Sequence, residues 1–147
     1  MAELSRNRLH GLKVAVTGAS GNVGTALLRR LTDPRHGVAE VRGLARRPPP
    51  DIAPYDTVQW HLTDLGEAHS EHVLGEFLDG VDAVVHLAWA LQPGRRPELL
   101  RQVNVEGTRR VSRAAMAASS GILDRSSFWL GSLSHRRRCQ AGVRRAR

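Results

Sequence analysis

Short apolar runs recur along the chain at intervals that leave room for helices between them. Leu12–Val16 is rich in valine, the pattern of a strand buried on both faces. Similar runs predict further strands over Val38–Ala45, Thr57–Leu62 and Val81–Leu91, and the last contains the most apolar stretch of the chain. Prolines and glycines follow most of these runs and predict loops there.

Three segments between or after these runs carry apolar residues at helical spacing. The first follows the first strand, with its apolar stripe on Val23, Ala26, Leu27 and Leu31. The second covers Glu67–Leu78, with its apolar face on Leu74, Phe77 and Leu78. The third covers about Pro97–Ser119, and its stripe consists of Leu100, Val103, Gly107, Val111, Ala114 and Ala118. Gly107 and the alanines predict a close approach of this helix to a sheet.

Strands that alternate with helices four times predict an α/β fold with a parallel sheet built from right-handed crossovers. We expect residues 1–120 to form this domain. In residues 121–147 we expect a possible fifth strand within Phe128–Ser134, followed by a basic and disordered tail.

A glycine-rich turn joins the first predicted strand to the first predicted helix, with Gly18, Gly21 and Gly24 at Gly-x-x-Gly-x-x-Gly spacing. Such a turn lets the backbone approach an anion at the helix N-terminus. We assign Gly18 to the turn, Gly21 to contact with a pyrophosphate and Gly24 to helix–strand packing. The alternative is an ordinary strand–helix turn that happens to contain glycines.

Four motifs occur in order along the chain: residues 14–24, Asp64-Leu65, residues 84–88 and residues 104–108. In these motifs the chain resembles the extended short-chain dehydrogenase/reductase superfamily, in particular its NAD-dependent epimerase/dehydratase group. The resemblance implies a Rossmann-like doubly wound parallel sheet, truncated to about four to five strands with flanking helices. It also implies that the chain holds the N-terminal, cofactor-binding part of such an enzyme.

The predicted dinucleotide contacts are Gly18, Ser20, Gly21, Asn22, Val23, Gly24, Arg46, Asp64, Leu65, Leu87 and Ala88. In the family, the position of Asp64 hydrogen-bonds the adenine amino group; the alternative is that Asp64 caps the next helix. Leu87 and Ala88 are expected along the cofactor, and Trp89 stands where the family often has a small residue. The resemblance implies a structural role for Asn104, bridging backbone near the active site.

The end of the second predicted strand bears on the choice of cofactor. It reads Leu44-Ala45-Arg46-Arg47, without the carboxylate that accepts hydrogen bonds from the ribose 2′-hydroxyl of NAD. We therefore favour NADP over NAD, with Arg46 as the partner of the 2′-phosphate. The alternative is a pair of solvated surface arginines.

In this superfamily a tyrosine is the general acid/base, and a lysine four positions later lowers its pKa. The chain has one tyrosine, Tyr55, and one lysine, Lys13, and Gln59 stands four positions after the tyrosine. We therefore predict no catalytic residue. Ser132 or Ser134 would occupy the place of the family's serine, or simply lie in a strand end or loop.

Charge is distributed unevenly. Residues 121–147 hold seven arginines and one acid, whereas residues 1–120 have a net charge of +2. The basic character of the chain thus belongs mostly to a short tail, so binding to nucleic acid is a weak interpretation. The abrupt change in composition leads to the expectation that the tail arises from a frameshift or premature stop in a longer gene.

We expect the chain to be the NAD(P)-binding portion of an epimerase/dehydratase-like oxidoreductase that is inactive alone. Its longer relatives would transfer hydride on a sugar nucleotide or another carbonyl or hydroxyl substrate. The alternatives are a non-catalytic NADP-sensing module and a basic nucleic-acid-binding protein. A homo-oligomer or another partner is expected to cover the open sheet edge. A cytoplasmic location is expected, because the chain has one cysteine, no run long enough to span a membrane and a polar N-terminus. No metal site is expected, because His69 and His72 are a pair of possible ligands without a further cluster.

Overall fold

A computed structural model describes residues 9–90, 97–119 and 128–130 of the 147-residue chain. Its sheet has five parallel strands in the order β3-β2-β1-β4-β5. The strands are β1 (Lys13–Thr17), β2 (Glu40–Ala45), β3 (Gln59–Leu62), β4 (Ala83–His86) and β5 (Phe128–Leu130). Because the order runs outward from β1 in both directions, this is a doubly wound sheet, and the predicted α/β class is confirmed.

Helices form three of the four connections between strands, as the crossovers of a parallel sheet require. The connection from β2 to β3 contains no helix, so the predicted fourfold alternation of strands and helices is wrong at this point. They are α1 (Asn22–Leu31), α2 (Ser70–Leu78), α3 (Pro97–Arg101) and α4 (Thr108–Ser119), with a short 3₁₀ turn at Pro34–His36. The third predicted helix is interrupted, because Gln102–Gly107 between α3 and α4 is π-helical.

The two faces of the sheet carry separate clusters of buried residues. Val14 and Val16 of β1 point to one face, where they pack with Leu28 of α1. Ala15 points to the other face and packs in the cluster that holds Phe77 of α2. The alternation within β1 follows from the two-residue period of a strand, and it gives the sheet a core on each side. The predicted apolar face of α2, formed by Leu74, Phe77 and Leu78, is fully buried.

The predicted buried stripe of α1 is wrong in part. Val23 is 67% exposed and Ala26 is exposed as well, whereas Gly24, Leu28 and Leu31 face the core. These three positions follow the i, i+4, i+7 rule, so the helix is rotated relative to the prediction. Gly24 sets this rotation, because its ideal Cβ would lie 2.4 Å from the Gly18 carbonyl oxygen.

Gly107 is also close-packed, but not against the sheet. Its ideal Cβ would lie 3.1 Å from Leu65 Cβ, in the loop after β3. At Gly107 the close approach is therefore to this loop, whereas Ala114 and Ala118 pack against the cluster that contains Ala15 of β1 and Val84 of β4.

Several expectations fall on residues outside those described, among them Ser132, Ser134, Cys139 and the arginine-rich residues 131–147. Over the described part of the chain, none of the helices combines the length and the apolar character that crossing a membrane requires. In the same residues, no three histidine, cysteine or acidic side chains cluster as metal ligands would.

Candidate functional site

An open cleft of about 270 Å³ lies at the carboxyl edge of the sheet. In a doubly wound sheet this edge, beside the strand where the order reverses, is where ligands bind. Seven of the predicted contact residues line it: Gly18, Ser20, Gly21, Arg46, Leu65, Leu87 and Ala88. Six further lining residues were not predicted as contacts: Leu44, Ala45, Thr63, Trp89, Ala90 and Val103.

The glycine loop forms one wall of this cleft. Gly18 has φ +67°, which favours glycine, and an ideal Cβ there would lie 2.7 Å from the backbone nitrogen of Ala88. The Gly18 amide donates to the Leu44 carbonyl at 3.1 Å. The loop is therefore wedged between the ends of β2 and β4 with no space for a side chain at position 18.

Helix α1 begins beside this loop, and no side chain caps its first backbone N–H groups. Gly21 is the N-cap residue, and the first turn of the helix contains no acidic residue. The first N–H groups of a helix have no intrahelical partner. The amides of Asn22, Val23 and Gly24 are therefore donors for an anion, favoured further by the helix dipole. These residues contribute through their backbone and lie outside the cleft lining itself.

A chain of side-chain hydrogen bonds supports the neighbouring wall, at the end of β4. Buried His86 contacts Thr17 Oγ1 through Nδ1 at 2.6 Å and Thr108 Oγ1 through Nε2 at 3.0 Å. Thr108 Oγ1 must donate to the Asn104 carbonyl, 2.7 Å away, so it accepts from His86 Nε2. Nδ1 is then the acceptor of the Thr17 hydroxyl, which assigns the neutral Nε2–H tautomer. Burial lowers the pKa of His86 and so favours this neutral form.

The same chain of bonds fixes the backbone that follows β4. Thr17 Oγ1 accepts from the amide of Ala88 at 3.3 Å. Asn104 accepts from the Ala90 amide at 2.7 Å and donates to the Ala90 carbonyl at 3.0 Å. The structural role that the resemblance implied for Asn104 is thus observed, and Trp89 lies between the two fixed residues.

The β2 and β3 side of the cleft contains Arg46 and Thr63. Arg46 is exposed immediately after β2, and within the described residues its guanidinium has no hydrogen bond or ion pair. Thr63 Oγ1 is buried in the described structure without a partner, which makes it a polar atom that sequence reasoning missed.

Asp64 lies outside the lining, because its carboxylate is turned towards its own loop. Asp64 Oδ1 accepts from the amide of Gly66 at 2.8 Å. The alternative role of Asp64 as a cap of the next helix is wrong, since α2 begins at Ser70 and its N-cap residue is His69.

Comparison with known proteins shows the same fold and motifs elsewhere. Residues 14–132 match the model of the NAD dependent epimerase/dehydratase family. L-arabinose 1-dehydrogenase (NAD(P)(+)) of Haloferax volcanii is 34% identical over 116 residues, which are 79% of this chain and 39% of that protein.

Two solved structures are similar as well. A short-chain dehydrogenase/reductase superfamily protein from Agrobacterium tumefaciens with bound NAD is 32% identical, with a TM-score of 0.58 over 72% of this chain and 29% of that one. dTDP-glucose 4,6-dehydratase from Streptomyces venezuelae with NAD bound is 26% identical, with a TM-score of 0.60 over 74% of this chain and 37% of that one. The chain therefore spans between 29% and 39% of the length of these three proteins.

Proposed function

The chain belongs to the NAD dependent epimerase/dehydratase family, and from this premise we propose that its cleft binds a nicotinamide dinucleotide. A bound nicotinamide ring gives or accepts a hydride. The residues present fit such a ligand, because Gly18 and Gly21 line the cleft without side chains and the uncapped start of α1 lies beside them. Solved relatives of similar fold contain bound NAD.

The diphosphate of the cofactor is held by the start of α1. The uncapped first turn supplies amide donors, and no acidic residue in that turn repels an anion. This open helix N-terminus beside a glycine loop, at the reversal point of the sheet, is the observation that carries the proposal.

We favour NADP as the form bound. Arg46 lines the cleft at the end of β2, where a carboxylate would select the ribose 2′-hydroxyl. Its guanidinium is exposed and free of other partners among the described residues, so it is available to a 2′-phosphate. Asp64 and Leu65 are proposed at the adenine end, and Leu87 and Ala88 along the remainder of the cofactor.

Binding without turnover is expected for the chain as printed. Tyr55, its one tyrosine, hydrogen-bonds Thr25 Oγ1 at 2.7 Å and does not line the cleft. Acid/base chemistry on a sugar nucleotide or another carbonyl or hydroxyl compound is accordingly proposed for longer relatives. It stays a prediction that residues 121–147 bind nucleic acid. It also stays a prediction that a partner covers the open edge of the sheet at β5.

The test is calorimetric titration of the full chain with NADPH and NADH, comparing wild type with Gly21→Asp. Aspartate is a good N-cap residue, so the variant should keep its thermal unfolding midpoint. Its carboxylate would occupy the anion site, and NADPH affinity should fall by at least about tenfold. Gly75→Asp is the control, because Gly75 lies in α2 with open space beside it. NADPH binding that is unchanged in Gly21→Asp would overturn the proposal.

Arg46→Ala tests the choice of cofactor. Loss of a charge-assisted bond to the 2′-phosphate should weaken NADPH by about tenfold and leave NADH within about twofold. An equal effect on the two cofactors would contradict the preference for NADP.

A further inference from the structure

Trp89 is a large aromatic side chain exposed inside the cleft. It is 57% exposed and belongs to the lining, next to Ala88, which packs against Gly18 of the glycine loop. Exposure of so large an apolar surface is unfavourable in water, at about 25 cal/mol for each Å². A ligand that covers Trp89 would remove this apolar surface from water, and exposed apolar patches often mark binding sites.

The backbone that carries Trp89 is held on both sides. The Ala88 amide is bonded to Thr17, and Asn104 grips both the amide and the carbonyl of Ala90. These partners come from β1 and from the π-helical segment, so the position of Trp89 is set by two separate elements. The backbone at Trp89 is therefore ordered before a ligand binds, which keeps the entropic cost of contacting that ligand small.

Strand order indicates which part of a dinucleotide Trp89 meets. The glycine loop follows β1, which lies between β2 and β4. Arg46 follows β2 on one side, and Trp89 follows β4 on the other. If the diphosphate lies on the glycine loop and the adenosine ribose meets Arg46, the remaining half of the molecule extends towards Trp89.

On the basis of the proposed function, we propose that Trp89 is a contact residue for the nicotinamide half of the dinucleotide. The indole packs against the pyridine ring. An aromatic ring contributes both apolar area and stacking geometry in such a contact. In the oxidised cofactor the pyridinium is a cation, and the face of an indole attracts cations.

The experiment compares two ligands that differ only in the nicotinamide ring. NADP⁺ and 2′-phospho-ADP-ribose are titrated into the full-length wild type, Trp89→Ala and Trp89→Phe. Trp89→Ala should weaken NADP⁺ by roughly tenfold, and Trp89→Phe should restore part of this affinity. Binding of 2′-phospho-ADP-ribose should stay within about twofold of wild type, which also shows that the variants are folded.

Ile52→Ala is the matched control. Ile52 is 60% exposed on the loop between β2 and β3 and is not part of the lining, so its removal should leave both affinities unchanged. The inference is overturned if Trp89→Ala weakens both ligands equally, weakens neither, or tightens NADP⁺. Failure of wild type to bind either ligand would overturn the proposed function as well, so the two failures are distinguishable.

Discussion

The glycine loop and the segment after β4 form neighbouring walls of the cleft, yet they are held in place by different kinds of constraint. The loop is held sterically, since Gly18 has φ +67° and no space for a Cβ. The segment after β4 is held by hydrogen bonds from side chains, because Thr17 and Asn104 accept from its backbone amides and His86 in turn bonds Thr17. One wall thus depends on the absence of side chains, and the other depends on their presence.

This difference predicts how each wall responds to substitution. A steric constraint between backbone atoms cannot relax by rotating a side chain, so a Cβ added at Gly18 should have a large effect. A chain of hydrogen bonds loses one member at a time, and each loss leaves the remaining bonds in place. We therefore expect a large loss of stability when Gly18 of the glycine loop is substituted. Removing single hydrogen bonds of the segment after β4 should cause smaller losses.

Gly18→Ala should produce the largest effect. Its Cβ would lie 2.7 Å from Ala88 N, a backbone atom, and alanine also disfavours φ +67°. We expect the free energy of unfolding to fall by about 3 kcal/mol or more, measured by urea denaturation. NADPH binding should be lost, because both walls of the cleft must move apart.

Gly75→Ala is the control for this prediction. Gly75 lies within α2 with nothing near its ideal Cβ, and alanine favours helix over glycine by about 1 kcal/mol. This variant should therefore be somewhat more stable than wild type. A Gly18→Ala protein within about 0.5 kcal/mol of wild type would show that the loop is not sterically constrained.

The same distinction explains what the sequence could and could not predict. Strands, helices and the glycine loop follow from local patterns, so the fold could be predicted from them, whereas Leu65, Leu87 and Ala88 of the lining were predicted from the resemblance to a family. The contact of Thr17 with His86 joins residues 69 positions apart and exists because β1 and β4 pair in parallel with these two residues in register. A single sequence does not give that register, and it also left the rotation of α1 open, which is why Val23 was misplaced.

His86→Gln should have an intermediate effect that depends on pH. Burial lowers the pKa of His86, so below about pH 6.5 this side chain is protonated in the unfolded chain while it stays neutral in the folded chain. The free energy of unfolding should therefore fall as the pH is lowered from 7.5 to 5.5. In the variant this fall should be smaller, and loss of the bond to Thr17 should reduce stability at pH 7.5 by about 1–2 kcal/mol.

Burial also lowers the pKa of His61, with Arg42 as a further cause, so part of the pH dependence should persist in His86→Gln. His72→Gln is the matched control, because the His72 side chain is 84% exposed on α2. Its free energy of unfolding at pH 7.5 should stay within about 0.5 kcal/mol of wild type, as for most exposed substitutions. Equal pH dependence in wild type and His86→Gln, from thermal unfolding at each pH, would contradict a neutral His86 in the folded protein.

Tyr55→Phe should have the smallest effect. The hydrogen bond that it removes supports the glycine loop, which is already held by the steric constraint at Gly18. Thr25 Oγ1 donates to the Gly21 carbonyl at 2.8 Å, so the Tyr55 hydroxyl must donate to Thr25. Removing that donor leaves the bond from Thr25 to Gly21 intact. We expect a loss of at most about 1 kcal/mol in stability and less than about threefold in NADPH affinity.

Amide hydrogen exchange over residues 21–25 checks this prediction, with Trp60→Phe as the control. Trp60 Nε1 donates to the Tyr55 carbonyl at 3.0 Å, so that variant removes a bond to the same residue without touching its hydroxyl. Tyr55→Phe should accelerate exchange at the start of α1 slightly, and Trp60→Phe should not. If Tyr55→Phe instead destabilises the protein more than His86→Gln does, the glycine loop depends on side-chain bonds as much as the segment after β4 does. The proposed contrast between the two walls would then be wrong.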